Sequence, residues 1–286
     1  MALVSSSFAG SWYPATAKQI EATLAEYAPA MKRPSKLKKP PGAGIVPHAG
    51  WRYSGAIAYE VWANLALREP DLVVLFGGHV HQYQRSVIFA DEGFDTPLGP
   101  VYSHAELVEG IAGAFRFRKA DVSTWESDNT VEVQMPMIRA LFPQAKVLVL
   151  HLPPRDIILD IVDLLMEFIR RCDASPVFVG TTDLTHYGPR YGFTPHGVSE
   201  RAHRWAKSEN DQSFISRLVN LDPQGCLEEG LSNYNACCPG AAAAAVTAAR
   251  LTGSEYGELL THRTSLELAA EDGDAVDFVG YASVVF

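Results

Sequence analysis

The sequence predicts an α/β fold in which helices cover both faces of a mostly parallel central sheet. Strand-like apolar runs alternate with amphipathic helical patterns along the 286-residue chain, an order typical of this class. Residues 72–76 are apolar throughout rather than at alternate positions, as in strands that are buried on both faces. No change in composition and no internal repeat divides the chain, so we expect one domain over residues 1–286.

The N-terminal half predicts four helices and four strands. Ile20, Leu24 and Tyr27 recur at helical spacing and define the first helix. Asp128 is a start signal for a later helix whose apolar stripe begins at Val131. The predicted helices cover residues 16–27, 52–67, 104–115 and 128–141, and the predicted strands cover residues 44–47, 72–76, 86–90 and 145–152.

The C-terminal half continues the alternation and adds antiparallel pairing. The final strand or strands are expected within residues 276–286, and another strand at residues 175–182. Helical patterns cover residues 155–171, 199–218, 223–231 and 237–251. The basic, proline-rich segment 32–41 is expected to be a solvated surface connector.

Composition excludes several classes of function. A formal charge of −9 opposes broad binding to nucleic acid or to an anionic membrane. The longest run of small apolar residues, 241–249, is far shorter than the roughly 20 residues that span a bilayer. The first twenty residues lack the pattern of a signal peptide. Four cysteines in this length do not indicate a disulfide scaffold, so we expect a cytoplasmic protein.

Polar residues follow four strand-like or turn segments abruptly, and we expect these segments to meet at one metal site. In open α/β sheets, ligands bind at the carboxyl ends of the strands. The four segments are Pro47-His48-Ala49-Gly50, Gly77-Gly78-His79, Asp183-Leu184-Thr185-His186 and Asn235-Ala236-Cys237-Cys238-Pro239-Gly240.

His48 and His79 are the candidate imidazole ligands. Glycines beside each of them allow the backbone to turn sharply and to approach a ligand closely. The alternative is a hydrogen-bonded histidine at a strand end. His81 is expected to support the site from behind or to lie on the surface. The remaining histidines have no comparable context and are expected to be structural or exposed: His104, His151, His196, His203 and His262.

Asp183 and His186 are the candidate proton-transfer pair, because a neighbouring carboxylate makes a histidine a good base or metal ligand. The alternative is that Asp183 caps a helix, although Tyr187-Gly188-Pro189 favours a loop. Glu132 either stabilises the first turn of its own helix or faces the site.

Cys237 and Cys238 precede Pro239 at the start of a predicted helix, where the helix dipole favours a thiolate. Buried apolar cysteines are the alternative. Two histidines with one thiolate leave open coordination positions, which is typical of a catalytic metal site. Zinc, copper and iron(II) all accept such ligands. The chain contains no phosphate-binding loop, nucleophile elbow or dinucleotide fingerprint.

Taken together, these segments resemble the Memo family, which is also called AmmeMemoRadiSam system protein B in bacteria and archaea. The resemblance spans the whole chain and keeps its order. It rests on Phe8-Ala9-Gly10-Ser11-Trp12-Tyr13-Pro14, Pro47-His48-Ala49-Gly50, Gly78-His79, Asp183-Leu184-Thr185-His186-Tyr187-Gly188, Cys237 to Gly240, and Gly280-Tyr281-Ala282.

The resemblance implies the fold of the class III extradiol (LigB-like) dioxygenases, an α/β/α sandwich whose members use iron(II) to open catecholic rings. It implies that His48 and His79 are metal ligands and that Cys237 is the third ligand, in place of a carboxylate. It also implies that His186 is a base or pocket residue, with Asp183 beside it. Cys238 occupies a position that is usually glycine, so an assignment shifted by one residue stays open.

Two segments depart from the family pattern. Asp128-Asn129-Thr130 stands where the family has Glu-His-Ser, so an asparagine replaces one pocket histidine. Gly78-His79-Val80 stands where the family has Ser-His-His. If Asn129 replaces an acid–base group, proton transfer rests on His186 alone.

We therefore expect a non-haem iron(II) oxidoreductase of the dioxygenase type, acting with O₂ on a catecholic or related small aromatic substrate. Copper and zinc are the alternative metals. The alternative function is an iron- or copper-binding or partner-binding protein without turnover, with Trp51, Tyr53 and Tyr187 as contact surface. The resemblance also implies AMMECR-type and radical-SAM partner proteins.

Overall fold

The computed structural model describes residues 2–268 and 276–286. The strands are β1 (Leu3–Val4), β2 (Ala43–Val46), β3 (Leu72–Gly77), β4 (Val87–Phe89), β5 (Gly93–Phe94), β6 (Val101–Tyr102), β7 (Arg118–Ala120), β8 (Lys146–His151), β9 (Pro176–Thr181), β10 (His186–Tyr187), β11 (Glu258–Thr264) and β12 (Phe278–Val285).

The helices alternate with these strands through most of the chain. Short 3₁₀ turns at Ala28–Ala30, Ala66–Arg68 and Pro189–Tyr191 and a π turn at Ala206–Asn210 join or extend them. The α-helices are α1 (Ala17–Tyr27), α2 (Trp51–Leu65), α3 (Ala105–Ala114), α4 (Asn129–Glu132), α5 (Met135–Leu141), α6 (Ile157–Arg171), α7 (Glu200–Trp205), α8 (Asp211–Val219), α9 (Pro223–Asn233), α10 (Pro239–Leu251) and α11 (Ser265–Leu268).

The large sheet has the order β10-β12-β2-β9-β3-β8-β4-β7, with β11 paired to β12. The central strands β2, β9, β3 and β8 are parallel. Antiparallel pairs flank them on both sides, because β12 runs against β2 and β4 runs against β8. The sheet is therefore mixed, with a parallel centre and antiparallel pairing near the C-terminus, as the sequence predicts.

Two apolar cores lie on opposite faces of the sheet, and β3 contributes to both. Leu72, Val74 and Phe76 belong to the first core, while Val73 and Leu75 belong to the second. Helices α3, α6, α8, α9 and α10 cover the first face, and α1, α2, α4 and α5 cover the second. An uninterrupted apolar strand is stable here because both of its faces are removed from water. This arrangement confirms the predicted α/β fold with helices on both faces.

Most predicted elements are present. The helix expected at residues 199–218 consists of α7 and α8, joined by the π turn at Ala206–Asn210. Two further elements differ for clear reasons. The helix expected at residues 128–141 is divided into α4 and α5, because Pro136 in the first turn of α5 has no N–H to continue a helix from the preceding residues. The segment at His186, expected to be a loop, instead forms β10 against β12. The short strands β1, β5, β6 and β7, the polar edge strand β11 and the short helix α11 were not predicted.

The central strands place polar residues at one edge of the sheet. Val46 at the end of β2 pairs with Thr181 at the end of β9, and Phe76 of β3 pairs with Gly180. The residues that follow these three strands therefore start from neighbouring positions. Among the described residues, no helix has the length and apolarity needed to cross a membrane.

Candidate metal centre

Four possible metal-ligating side chains converge beyond the ends of the central strands. One ligand atom from each of His48, His79, Cys237 and Cys238 lies within 4.8 Å of every other. The Nε2 atom of His48 is 3.2 Å from the Sγ atom of Cys237. The imidazole rings of His48 and His79 meet edge to face, with centroids 5.0 Å apart. His48 is buried and His79 is exposed, so the group is open on one side.

The turn at Gly78 gives His79 its position. Gly78 has a φ of 83°, a left-handed conformation in which side chains are strained. A Cβ atom at this position would also lie 2.4 Å from the Cγ atom of His151. The hydroxyl of Thr130 accepts a hydrogen bond from the Gly78 N–H at 2.7 Å and holds the turn. The glycine next to His79 is thus required by the backbone, as expected.

Cys237 is fixed by the strand end of β9 and is held as a thiolate. The backbone N–H of Asp183 donates to Cys237 Sγ at 3.2 Å, and the Cys237 N–H donates to the Asp183 carbonyl at 3.1 Å. Burial acts to raise the pKa of Cys237, but hydrogen bonding with Cys238 and the charge of His48 outweigh burial and hold the pKa well below its usual value. A thiolate is the form of cysteine that binds metal.

Cys238 has the opposite character, although it is the next residue. It is buried, and its N–H donates to the Thr182 hydroxyl at 3.1 Å. Burial, followed by its contact with Cys237, raises the pKa of Cys238 well above its usual value. The two sulfur atoms are 3.8 Å apart. Two thiols whose pKa values are shifted in opposite directions therefore lie side by side at the start of α10.

Asp183 lies between two histidines. Its Oδ1 atom accepts the His48 N–H at 2.9 Å, and its Oδ2 atom is 3.7 Å from His186 Nε2 and 3.9 Å from His48 Nε2. It does not cap a helix, since β10 follows it rather than a helix. The carboxylate therefore contacts both His48 and His186, whereas the sequence placed it beside His186 alone.

His186 projects from β10 beside Asp183, and Tyr191 packs edge-on against its ring. Burial acts to lower the pKa of His186, but the nearby Asp183 carboxylate and Cys237 sulfur outweigh burial and raise the pKa to about 10. His48 follows the same pattern, because the negative charges of Cys237 and Asp183 overcome burial and raise its pKa to about 9. Two negative groups thus stabilise two imidazolium rings when the centre holds no cation.

Residues behind the site hold the backbone near His48. Asn129 Nδ2 donates to the His48 carbonyl at 3.0 Å, and Gln134 Nε2 donates to the Pro47 carbonyl at 2.9 Å. Asn129 therefore lies at the site, but its amide is committed to the backbone.

Glu132 lies in the first turn of its own helix, α4, which is the first of its two predicted positions. Its Oε1 atom accepts hydrogen bonds from the Phe8 N–H at 2.7 Å and from the Tyr13 hydroxyl at 2.9 Å. The N-terminal segment that contains Phe8 and Tyr13 is thereby attached to α4. The Trp12 carbonyl in turn accepts the Trp51 N–H at 2.7 Å, directly after the His48 segment.

A buried network that sequence reasoning missed anchors the loop between Asp183 and His186. Asp211 Oδ1 accepts hydrogen bonds from the Thr185 N–H at 3.0 Å and from the Thr185 hydroxyl at 2.5 Å. Its Oδ2 atom is 2.8 Å from His262 Nε2. Asp211 and His262 lie in polar stretches that resemble exposed surface. The only available signal in the sequence was that Asp211 is an acidic residue on the apolar face of a helix.

Three cavities border the centre, and His79 lines all of them. Their volumes are about 490, 530 and 610 Å³. Cys237 and His186 line the second cavity, and His48 and His186 line the third. His151 and Asp128 line the first cavity, and the Nε2 atom of His151 is 3.0 Å from the Oδ2 atom of Asp128. His151 is therefore closer to the site than the sequence indicated.

The aromatic contact surface proposed from the sequence is wrong for two residues of three. Trp51 and Tyr187 are buried, because Trp51 packs in the second core and Tyr187 stacks on Phe278. Tyr53 lines the third cavity, as do Trp12 and Tyr191. His81 lies on the surface, as expected.

The fold and the site define an α/β protein with a histidine–cysteine group at the carboxyl ends of its parallel strands. A family model described as "Memo-like protein" matches residues 5–285. The chain belongs to the Memo family.

Known proteins related to this chain include archaeal members of the same family. It is 29% identical to a "MEMO1 family protein" of Thermococcus onnurineus, over 97% of each chain. It is 31% identical to one of Thermococcus kodakarensis, over 85% of this chain and 86% of the other. Its fold is similar to the crystal structure of an uncharacterized protein from Escherichia coli K12, with a TM-score of 0.50 and 12% identity over 85% of this chain and 98% of the other.

Proposed function

We propose that this protein is a metal-dependent oxidoreductase with iron(II) held by His48, His79 and Cys237. The observation that carries the proposal is the convergence of four ligand atoms within 4.8 Å, three of which come from these residues. Imidazole and thiolate ligands suit iron(II), and they also accept copper or zinc. Cys237 is preferred over Cys238 because its pKa is lowered, whereas that of Cys238 is raised.

The residues fit a bound cation. The Nδ1 atom of His48 is buried without a hydrogen-bond partner among the described residues, and such atoms are rare unless a ligand satisfies them. The exposed side of the group at His79 leaves room for further ligands. Iron(II) at this position would supply the redox chemistry that joins O₂ to an aromatic substrate.

The protein side chains would then bind the substrate and move its protons. The third cavity has aromatic walls at Trp12, Tyr53 and Tyr191, which suit a catecholic or related small ring. His186 lines this cavity and is the candidate proton carrier. The Oδ2 atom of Asp183 lies 3.7 Å from His186 Nε2, and this carboxylate would orient the imidazole.

Metal content tests the ligand assignment. Protein purified without a metal-affinity tag is compared, by mass spectrometry of the metals, with the matched variants Cys237→Ser and Cys238→Ser. We expect about one iron or copper per chain in the wild type and in Cys238→Ser, and none in Cys237→Ser. A wild type that binds no metal, even after anaerobic iron(II) or copper loading, contradicts the proposal.

The His186→Ala variant separates proton transfer from metal binding. Turnover is expected to be lost while metal content stays at the wild-type value, because His186 is not among the proposed ligands. His196→Ala is a suitable control, since His196 is exposed and lies against Trp205. Loss of metal in His186→Ala would make His186 a ligand and overturn this role.

A second candidate is a metal-binding or partner-binding protein without turnover. The observation that favours it is Asn129, whose amide donates to the His48 carbonyl and leaves one acid–base group fewer than the family pattern. Oxygen consumption by the anaerobically loaded iron(II) protein, with a panel of catechols, distinguishes the two functions. A cytoplasmic location and AMMECR-type or radical-SAM partners stay predictions from the sequence.

A further inference from the structure

We propose that Cys237 and Cys238 are a peroxide-sensitive pair that closes reversibly into a disulfide between adjacent residues. The two sulfur atoms are 3.8 Å apart, and both side chains belong to the same turn at the start of α10. The other two cysteines lie on other elements, Cys172 at the end of α6 and Cys226 within α9. The pair is therefore separate from the remaining thiols of the chain.

Cys237 is placed to react with a small oxidant. It lines the open cavity of about 530 Å³ together with His79 and His186, so a molecule as small as hydrogen peroxide can reach its sulfur. The Asp183 N–H donates to this sulfur at 3.2 Å. Such a donor stabilises negative charge on sulfur, and the anion is the nucleophile in thiol oxidation.

Cys238 is placed to react second. Its side chain is buried in the first core, so solvent and peroxide do not reach it directly. Its sulfur is 3.8 Å from the sulfur of Cys237, and of these two cysteines Cys237 is the one that lines the cavity. A thiol beside an oxidised cysteine resolves the oxidised form as a disulfide.

The reaction balances with hydrogen peroxide as the oxidant. The Cys237 thiolate attacks one peroxide oxygen, the O–O bond breaks, and sulfenic acid and hydroxide are formed. Cys238 sulfur then attacks Cys237 sulfur, the S–O bond breaks, and the S–S bond forms. The leaving hydroxide takes the thiol proton as water. Two sulfur atoms have together lost two electrons, and one peroxide has been reduced to water and hydroxide.

The disulfide is expected to be easily reduced. Adjacent Cα atoms across a trans peptide are about 3.8 Å apart, whereas disulfides usually join Cα atoms about 4.4 to 6.8 Å apart. The resulting strain raises the reduction potential, which is typical of regulatory rather than structural disulfides. The pair would therefore respond to the balance between peroxide and cellular dithiols.

The formation of the disulfide does not depend on the proposed function, but its effect on metal binding rests on that function. A disulfide removes the Cys237 thiolate, so the proposed metal would lose one of three ligands. Conversely, a bound metal would occupy the sulfur and protect it from peroxide. Oxidation of the pair would therefore switch the centre off, and reduction would restore it.

The test uses the metal-free full chain with one equivalent of hydrogen peroxide. Intact mass and thiol titration are measured before and after treatment with dithiothreitol. The wild type is expected to lose two hydrogen masses and two of its four thiols, and to regain both on reduction. The Cys172→Ser/Cys226→Ser double variant is expected to behave in the same way, because it keeps the pair.

The Cys238→Ser variant isolates the first step. It is expected to gain one oxygen mass as a dimedone-reactive sulfenic acid, without a disulfide. A wild type that instead gains oxygen atoms with no two-hydrogen loss overturns the proposal, as does a disulfide that maps to Cys172 or Cys226.

Metal binding is then measured separately on the reduced and oxidised wild type. Binding to the reduced form alone supports the switch. If the disulfide forms but reduced protein binds no metal, the proposed function fails while the cysteine chemistry stands. If both forms bind metal equally, the regulatory consequence is overturned.

Discussion

Buried carboxylates explain much of the organisation of this protein at the scale of single residues. Asp183, Glu132 and Asp211 are each buried, and each accepts hydrogen bonds from residues distant in sequence. Burying a charge without partners would cost several kcal/mol, so each carboxylate fixes the segments that satisfy it. Only Asp183 contacts the histidines of the proposed centre. Glu132 and Asp211 support it from outside.

Asp128 gives a prediction about acid stability. Burial acts to raise its pKa, but the His151 imidazole, whose Nε2 atom is 3.0 Å away, outweighs burial and lowers the pKa from 3.8 to about 2. A carboxyl whose pKa is depressed on folding stabilises the fold above its unfolded pKa, and this contribution is lost as pH falls through the folded value. The contribution is about 2 kcal/mol.

We therefore expect the wild type to lose about 2 kcal/mol more free energy of unfolding than Asp128→Asn between pH 4 and pH 2. Asparagine keeps an oxygen that can cap α4, as Asp128 does at Thr130. Urea denaturation at several pH values measures the difference. Parallel pH profiles for the two proteins would show that the ion pair with His151 contributes nothing.

At the scale of elements, the loop between β9 and β10 depends on α8. Asp211 at the start of α8 holds both the N–H and the hydroxyl of Thr185, and Asn210 Nδ2 also donates to that hydroxyl at 3.0 Å. Gly280 on β12 leaves room for this carboxylate, since a Cβ atom there would lie 2.3 Å from Asp211 Oδ2. The geometry of Asp183 and His186 is thus set by a helix and a strand that follow them in the chain.

The Asp211→Asn variant tests this anchor. Removing the carboxylate costs roughly 3 kcal/mol, because the buried Thr185 and His262 groups lose their hydrogen-bond partner. We expect a loss of that size in urea denaturation and a smaller additional loss when His262→Gln is added. Asp163→Asn on the exposed face of α6 is the control. Additive losses in the double variant would argue against direct coupling.

The contact between β9 and α10 sets the position of both cysteines. Gly180 lies against the Ala241 carbonyl, and a Cβ atom there would approach that oxygen to 2.5 Å. The small residues of α10 allow this close approach, which brings the start of the helix to the strand ends. The alanine-rich composition that looks featureless in the sequence is therefore what places Cys237.

Gly180→Ala is expected to destabilise the fold by about 1–3 kcal/mol through overpacking and to weaken metal binding by displacing α10. Gly113→Ala in α3 is the control, because a Cβ atom there meets nothing within 4 Å. Thermal unfolding and metal titration measure the two effects. Normal metal affinity in Gly180→Ala would show that the start of α10 is not set by this contact.

At the scale of the whole molecule, the proposed centre links segments from every part of the chain. His48, His79 and Cys237 lie far apart in sequence, and they meet only when the sheet is assembled. Because an unfolded chain holds no such site, a metal that binds there must stabilise the folded state.

We expect metal loading to raise the free energy of unfolding by about 2.7 kcal/mol when free metal is 100-fold above its Kd. Removal of the metal with a chelator should reverse the gain. Calorimetry of the wild type, with Cys237→Ser as the comparison, measures it. An equal gain in Cys237→Ser would place the bound metal elsewhere.

The sequence by itself determined the periodic elements, the alternation of strands and helices, and the residues at strand ends. Hydrophobic period and turn residues are local properties, so β2, β3, β9 and α10 were predicted within a few residues of their bounds. The family resemblance followed from the same short segments. Edge strands such as β11 were missed because half-exposed strands carry polar residues and lack an apolar run.

Only the tertiary structure decided which strands are neighbours and what each buried polar group contacts. The order β2-β9-β3 places His48, Asp183 and His79 together; their positions after strand ends predicted a shared site, but not this strand order. Long-range contacts also hydrogen-bond Glu132 to the N-terminal segment and Asp211 to Thr185. They create different environments for the adjacent residues Cys237 and Cys238. The physical reason is that hydrogen bonding and burial depend on residues distant in sequence, whereas helix and strand patterns depend on near neighbours.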